Sequence, residues 1–160
     1  MVEHDGQIGQ LLKKLDDLGI TKNTIVIYTT DNGAEKFSWP DGGTSPFKGE
    51  KASTWEGGIR VPFMIRWPEK IKCGRVSNEI ISLEDCLPTL LAAVGDEKIK
   101  EKLLKGEKVG DKNFKVHIDG YNFLPYLEGA VGSGPRDLFF AFVDDGSLGA
   151  MSYKAFKFHF

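Results

Sequence analysis

A continuous run of β-branched and aromatic side chains reads Thr24-Ile25-Val26-Ile27-Tyr28-Thr29-Thr30, and Asp31-Asn32-Gly33 follows it directly. The run does not alternate between apolar and polar residues, which indicates a strand buried on both faces, as in a parallel sheet. Open α/β sheets hold their ligands at the carboxyl ends of such strands. The sequence therefore predicts an α/β fold with Asp31-Asn32-Gly33 at a ligand-binding edge.

The segments on either side of this strand have their own patterns. Apolar residues at helical spacing precede it and stop at Gly19, which predicts a helix ended by a glycine cap. A loop over residues 31–58 follows it, and loops of that length in compact proteins are usually functional or disordered. Residues 61–67 form a second predicted strand, with Pro62 confined to its start.

The second half of the chain is predicted to mix helices and strands. A helix over residues 86–94 has Asp85 as its predicted N-cap, because this position places Pro88 in the first turn, where its missing N–H is harmless. The charge-rich residues 97–112 predict a solvated helix and loop, since their charges alternate in sign.

Shorter elements complete the prediction. Residues 80–81 and residues 114–118 indicate short strands, and residues 121–127 indicate a short helix. Six of the eleven phenylalanines lie after residue 138. Together with the turn signal Asp144-Asp145-Gly146, they predict a terminal antiparallel meander.

Composition excludes two classes of partner. The chain has 160 residues, and its 41% apolar content is that of a globular domain. Lys plus Arg number 21 against 23 Asp plus Glu, so the electrostatic case for nucleic acid is missing. No apolar run reaches the roughly 18 residues that a membrane span needs. Cys73 and Cys86 fit no CxxC spacing and are expected to be ordinary thiols.

Acidic and amide side chains in the loop over residues 31–58 are candidate metal ligands. Asp31 and Asn32 offer the hard oxygen atoms that Ca²⁺ and Mg²⁺ prefer. The structural alternative is a type I′ turn, for which Asn-Gly is the commonest signal, or a helix cap. Two protein oxygens make an incomplete site, to which Glu35 or carboxylates from a second copy could add further ligands.

Cationic and aromatic residues of the same region are candidates for anion binding. The cationic residues are Lys48, Lys51 and Arg60. A lysine carries a compact charge suited to a tetrahedral anion such as sulfate or phosphate. For each lysine the alternative is a solvated surface position. Trp39 and Trp55 either line a pocket wall or pack the loop onto the sheet.

In the type and order of these motifs, the sequence resembles members of the arylsulfatase family. The resemblance rests on the segment Thr30–Glu35 and on the run Lys51-Ala52-Ser53-Thr54-Trp55-Glu56-Gly57-Gly58-Ile59-Arg60-Val61-Pro62. It continues through Trp67-Pro68, through the helix between Asp85 and Gly95, and through residues 119–127. It also includes Val2-Glu3-His4-Asp5 and therefore covers nearly the whole chain in the correct order.

The resemblance implies a role for individual residues. Asp31 and Asn32 match the family's ligands of a divalent cation, usually Ca²⁺. Lys51 matches the lysine that contacts the sulfate ester and stabilises charge on its leaving oxygen, which makes it the predicted catalytic residue. Lys48 matches no catalytic position and is expected to be structural. Two further residues are expected to hold the loop in shape through an Arg–carboxylate pair, namely Glu56 and Arg60.

The family's nucleophile has no counterpart among these residues. Sulfatases carry a Cys-x-Pro-x-Arg or Ser-x-Pro-x-Arg signature whose Cys or Ser becomes formylglycine, and neither Cys73 nor Cys86 sits in it. The family's paired N-terminal aspartates and active-site histidines are also without counterparts, since His4, His117 and His159 match none of them. The resemblance thus implies the C-terminal part of a sulfatase, which holds one wall of the active site and is inactive by itself.

The implied architecture has two parts. Residues 1–112 are expected to be the C-terminal part of an alkaline-phosphatase-like α/β sheet, and residues 113–160 a small, truncated antiparallel α+β subdomain. The intact enzyme would act on a small sulfate ester or a sulfated glycan. Two alternatives stay open: a phosphate or phosphonate ester hydrolase of the same superfamily, and a non-catalytic module that self-associates through exposed sheet edges. Periplasmic, secreted and cytoplasmic locations are all compatible with the sequence.

Overall fold

A computed structural model of the chain describes residues 2–36, 43 and 45–160. The chain divides into two compact units, Met1–Arg75 and Val76–Phe160. The boundary predicted between residues 112 and 113 concerns the domains of the intact fold and stays a prediction. Trp39 lies outside the described residues.

The first unit begins with helix α1, Val2–Asp17. The helix ends as predicted, because Gly19 has φ of 69° and the Ile20 N–H donates to the Leu15 carbonyl over 3.2 Å. A short 3₁₀ helix, Thr21–Asn23, then leads into strand β1, Val26–Thr29. The remaining elements of this unit are helix α2, Glu56–Ile59, and strand β2, Phe63–Arg66.

Strand β1 differs from its prediction in its neighbour. It pairs antiparallel with β2, in a register that sets Val26 opposite Arg66 and Thr29 opposite Phe63, and all four of its residues are half-buried. The prediction of a doubly buried strand in a parallel sheet is therefore wrong for the part of the chain that the structure describes. An unbroken apolar run reports that both faces of a strand suit burial, but it carries no information on the direction of the adjacent strand.

The second unit opens with a 3₁₀ turn, Leu83–Asp85, that runs into helix α3, Cys86–Ala93. The helix confirms the prediction for residues 86–94. Asp85 does precede α3, but its side chain makes no capping bond to the helix. Its carboxylate instead accepts the N–H of Ser82 over 2.8 Å, because the extra 3₁₀ turn moves the true entry of the chain three residues upstream.

Two predicted strands of this unit are wrong. Residues 80–81 are not in a strand, and residues 115–118 lie outside regular structure. The strands that form are β3, Glu107–Val109, and β4, Lys112–Phe114, which pair as a hairpin around Gly110 with its φ of 59°. Helix α4, Ile99–Lys105, precedes the hairpin and confirms the helix predicted in the charge-rich segment, although Ile99 and Leu103 on it are buried. The loop predicted after this helix is wrong, because the hairpin takes its place.

The end of the chain confirms the predicted meander. Helix α5, Leu124–Leu127, is followed by strands β5, Leu138–Phe142, β6, Leu148–Tyr153, and β7, Phe156–His159. The strands form one antiparallel sheet in the order β5-β6-β7.

The core of the second unit lies at α3, α5 and one face of the terminal sheet. Phe123 is 1% exposed and meets the ring of Tyr126 edge-to-face, with centroids 6.2 Å apart. On the sheet, Ala141 and Ala150 are paired opposite each other and both are buried.

Among the described residues, no helix combines the length and apolar character required to cross a bilayer.

Candidate functional site

The Asp31-Asn32-Gly33 turn directly follows β1, as predicted. The Asn32 backbone N–H donates to Asp31 Oδ1 over 2.9 Å, and Asn32 Nδ2 donates to the Gly33 carbonyl over 2.8 Å. Neither Asn32 nor Gly33 has a positive φ, so the segment is not a type I′ turn, and no helix begins there. The structural alternatives for this segment are therefore excluded.

Gly33 is required for a close approach of two backbones. Its N–H donates to the Gly58 carbonyl over 2.8 Å, and a Cβ at this position would lie 1.8 Å from the Gly57 carbonyl oxygen. Gly57 and Gly58 are both buried in the short helix α2. The backbone of the glycine pair in the Trp-Glu-Gly-Gly run thus contacts the Asp31-Asn32-Gly33 turn directly.

The loop that carries Lys51 is hydrogen-bonded to the same glycine pair, Gly57 and Gly58. The Gly57 N–H donates to the Lys48 carbonyl over 2.7 Å, and a Cβ on Gly57 would lie 2.3 Å from the Gly49 carbonyl oxygen. The Lys51 N–H donates to the Ala34 carbonyl over 3.1 Å. This bond joins the Lys51 loop to the residue that follows the Asp31-Asn32-Gly33 turn. The predicted site residues therefore belong to one cluster of loops.

A tight turn presents the Lys51 side chain. The Ser53 N–H donates to the Glu50 carbonyl over 3.0 Å, which leaves Lys51 and Ala52 as the two central residues. Ala52 has φ of 67°, in the left-handed region that residues other than glycine rarely adopt. Lys51 is exposed at this turn, and its Nζ lies 3.1 Å from Glu35 Oε2.

Side chains beside Lys51 shape the loop. Lys48 Nζ lies 3.7 Å above the ring centre of Trp55, in agreement with the structural role expected for this lysine. Arg60 pairs with Glu56 over 3.6 Å, which confirms the expected Arg–carboxylate pair. Its guanidinium also lies 4.7 Å from the ring centre of Phe47.

The donor set suits a divalent cation only in part. Asp31 and Asn32 present one carboxylate and one amide, which is hard-ligand chemistry that fits Ca²⁺. Within the described residues, no group of three or more His, Cys, Asp or Glu side chains is arranged to hold a metal ion. The assignment of Asp31 and Asn32 as ligands, and of Lys51 as a sulfate contact, stays a prediction.

A buried charge cluster in the second unit was missed by sequence reasoning. Asp85 is 0% exposed and accepts two hydrogen bonds from Arg136, from Nε over 2.9 Å and from Nη2 over 2.7 Å. It also accepts the Tyr121 N–H over 2.7 Å. Burial lowers the pKa of Arg136, but the hydrogen bond and charge of Asp85, with further charge from Glu84, raise that pKa by more. No local signal could reveal a partner 51 positions away.

The two cysteines are free thiols, as predicted. Cys73 is exposed. Burial raises the pKa of the Cys86 thiol, and the charge of Asp85 raises it further. Since the thiolate is the nucleophile, Cys86 is a poorly reactive cysteine rather than an activated one.

Solved structures assign the class of fold. The chain superposes on a sulfatase from a Pseudoalteromonas species with a TM-score of 0.83 and 30% sequence identity, over 99% of this chain and 29% of that one. The protein is therefore an α/β protein of the alkaline-phosphatase-like class, combining part of that sheet with a small antiparallel α+β region.

Sequence comparisons narrow the class to a family. The sequence model of the family described as Sulfatase matches residues 1–96. The chain is 36% identical to the steryl-sulfatase of Mus musculus over 133 residues, which is 79% of this chain and 19% of the relative. It is 34% identical to the N-acetylgalactosamine-6-sulfatase of Canis lupus familiaris over 160 residues, which is 99% of this chain and 27% of that relative. The chain belongs to the sulfatase family, and it spans 19–29% of the length of these relatives.

Proposed function

We propose that this chain supplies one wall of the active site of a sulfuric ester hydrolase. In this wall Asp31 and Asn32 hold a Ca²⁺ ion and Lys51 contacts the sulfate group. The observation that carries the proposal is the bond from the Lys51 N–H to the Ala34 carbonyl, because it brings the lysine loop beside the two oxygen donors. The substrate of the intact enzyme would be a small sulfate ester or a sulfated glycan.

Each residue contributes what its chemistry allows. A bound Ca²⁺ supplies positive charge that lowers the charge on a sulfate oxygen. Asp31 contributes a formal negative charge to that ion, and Asn32 contributes a neutral oxygen whose amide is oriented by the bond from its Nδ2 to Gly33. Lys51 contributes a cation that stabilises negative charge developing on the oxygen of the leaving alcohol.

The nucleophile is not among the 160 residues. They contain no Cys-x-Pro-x-Arg or Ser-x-Pro-x-Arg sequence, and Cys86, the thiol nearest to that pattern, has a raised pKa. We therefore expect no turnover of a chromogenic aryl sulfate by the isolated chain, even with Ca²⁺ and after treatment with a formylglycine-generating system. Lys51→Ala is the matched control. Turnover by the unmodified chain above this control would place a nucleophile in these residues and contradict the proposal.

The metal assignment predicts weak binding. Ca²⁺ takes about 6 to 8 oxygen ligands, and Asp31 and Asn32 supply two. Calorimetric titration with Ca²⁺ should therefore give little or no heat, and any weak binding should be lost in Asp31→Ala. Tight binding that Asp31→Ala abolishes would mean that the site is complete within this chain. Tight binding that Asp31→Ala leaves intact would move the site elsewhere.

Sulfate esters are proposed in preference to phosphate or phosphonate esters because the family model and the relatives are sulfatases. The nucleophile decides between these substrates. Reading the genomic codons upstream of Met1 tests the choice. A Cys or Ser in the Cys/Ser-x-Pro-x-Arg signature supports the sulfatase, whereas a Thr, or a Ser without the signature, supports the phosphate or phosphonate enzyme.

A further inference from the structure

The Glu35 carboxylate lies against the lysine that the proposed function uses. Glu35 Oε2 is 3.1 Å from Lys51 Nζ, and the two side chains are 33% and 50% exposed. The residue before Glu35 accepts the Lys51 N–H through its carbonyl, so a backbone hydrogen bond keeps the two side chains at adjoining positions. The backbone of the two loops therefore places these side chains close enough to form the ion pair.

The neighbouring carboxylate is directed elsewhere. Glu50 Oε2 accepts the backbone N–H of Lys36 over 2.6 Å, and Lys36 Nζ donates to the Gly49 carbonyl over 3.2 Å. These bonds tie the chain after Glu35 to the chain before Lys51. Of the two glutamates beside Lys51, Glu35 is thus the one whose ion pair involves the ammonium group.

We infer that Glu35 is a positioning residue for Lys51, an inference that rests on the proposed function. A lysine side chain has four rotatable bonds, and Lys51 sits half-exposed on a tight turn. The carboxylate of Glu35 restrains the ammonium group beside the Asp31-Asn32-Gly33 turn while no anion is bound. The Glu35 carboxylate occupies one of the three N–H donors of the ammonium group and places a negative charge beside an incoming sulfate, so Glu35 also weakens anion binding.

This role differs from the sequence-based expectation that Glu35 could serve as a third Ca²⁺ ligand. The ammonium group holds Glu35 Oε2 toward Lys51, so a metal ion would compete with that ammonium group for the carboxylate. The two roles predict different consequences of Glu35→Gln. A positioning residue changes the behaviour of Lys51 and of the anion, whereas a metal ligand changes the response to Ca²⁺.

The first test is titration of the chain with inorganic sulfate at constant ionic strength, followed by NMR at the amides of Ala34 and Lys51. An exposed ion pair contributes about 0.2–1 kcal/mol, which corresponds to a factor of about 1.4 to 5 in an equilibrium constant. Glu35→Gln should therefore bind sulfate about 1.4- to 5-fold more tightly than the unmodified chain, and Glu35→Asp should lie between them. Glu56→Gln is the matched control, because it removes the same charge from the same loop at the carboxylate that pairs with Arg60.

The second test needs no bound anion. Relaxation of the ¹³Cε group of Lys51 should show a more mobile side chain in Glu35→Gln, and Lys48, which lies over Trp55, should be unchanged. Unchanged mobility of Lys51, or sulfate binding that is equal or weaker in Glu35→Gln, would overturn the inference. A reduced response to Ca²⁺ in Glu35→Gln would overturn it too, in favour of a metal ligand. If Lys51→Ala binds sulfate as the unmodified chain does, the proposed function fails by itself, while the mobility result still decides the role of Glu35.

Discussion

At the scale of single residues, the pair of Asp85 and Arg136 shows how the hydrogen-bonding groups of a buried charge are satisfied. Each oxygen of the carboxylate accepts a bond from the guanidinium, and each also accepts a backbone N–H, from Tyr121 and Ser82. Arg136 Nη1 in turn donates to the Leu138 carbonyl over 3.2 Å. Such a network is costly to leave half-made, because the remaining charge stays buried without its partner.

Replacement of Asp85 by Asn should be among the most damaging single changes in the second unit. It removes the buried carboxylate partner of Arg136 and leaves only the partly exposed Glu84 carboxylate beside the guanidinium, which costs up to about 3–5 kcal/mol. Urea unfolding measures the change in free energy. The control is Asp17→Asn, the same chemical change at the exposed pair of Lys13 and Asp17, where the loss should be below about 0.5 kcal/mol. Equal losses in the two variants would contradict the stabilising role of the buried pair.

Reactivity of the two thiols tests the environment of Cys86. Burial and the charge of Asp85 raise the pKa of Cys86, so the fraction of thiolate at pH 8 falls and iodoacetamide should react slowly. Exposed Cys73 is the internal control and should be alkylated first. The alkylation rate of Cys86 should rise only at higher pH, as the thiol titrates. Mass spectrometry that finds both sites labelled at the same rate at pH 8 would refute this prediction.

At the scale of elements, the short helix α2 matters through its backbone more than through its side chains. Its two glycines let the Gly33 backbone approach within hydrogen-bonding distance on one side and admit the Lys48–Gly49 backbone on the other. A side chain at any of these contacts would push two loops apart. The candidate site is thus assembled by close backbone contacts between α2 and the two loops that pack against it.

Gly33→Ala should displace the Asp31-Asn32-Gly33 turn from α2. The new Cβ would lie 1.8 Å from the Gly57 carbonyl oxygen, and overpacking of this kind costs about 1–3 kcal/mol or more. Gly9→Ala is the matched control, since no atom lies within 4 Å of a Cβ there and alanine favours the helix. Thermal unfolding should show Gly33→Ala melting lower and Gly9→Ala melting at the same temperature or higher. Amide spectra should place the largest changes of Gly33→Ala at residues 31–34 and 57–58.

The elements themselves were predictable to different degrees. Helices α1 and α3 and the terminal meander follow from apolar periodicity and turn signals, because these patterns reflect local backbone preference and one buried face. The β3–β4 hairpin was missed because its strands are short and mostly polar, so no apolar alternation marks them. Its register depends on the positive φ at Gly110, which only the folded chain reveals.

At the scale of the whole molecule, the terminal sheet leaves large apolar side chains exposed. Strand β7 pairs with β6 on one side only among the described residues, and Phe156 and Phe158 on it are 68% and 47% exposed. Phe140 and Phe142 on β5 are also exposed. Unpaired strand edges with apolar side chains invite pairing with another chain.

We therefore expect the isolated chain to self-associate through the β7 edge, with a second copy as the partner. Analytical ultracentrifugation should show a concentration-dependent mass above 17.7 kDa. The double substitution Phe156→Lys and Phe158→Lys should lower that mass, because charges on an edge strand oppose pairing. Val76→Lys is the control, a similarly exposed apolar residue outside the sheet. A monomer at all concentrations would contradict this expectation.

The family of this protein was determined by the sequence alone. The Asp31-Asn32-Gly33 turn and the Trp55-Glu56-Gly57-Gly58 run are linear motifs, and their order along the chain is preserved whatever the fold. They identify the chemical groups of the candidate site, since the type of each side chain is a local property. Apolar spacing likewise placed the helices, because a helical face repeats within a few residues.

Only the tertiary structure decided which groups meet. The approach of Gly33 to Gly57, the pairing of Glu35 with Lys51 and the burial of Asp85 against Arg136 join positions that are 24, 16 and 51 residues apart. The pattern of residues indicates the conformation and burial that each position prefers. Which distant residue becomes its partner depends on the fold of the whole chain. For the same reason the antiparallel neighbour of β1 could not be inferred from the strand itself.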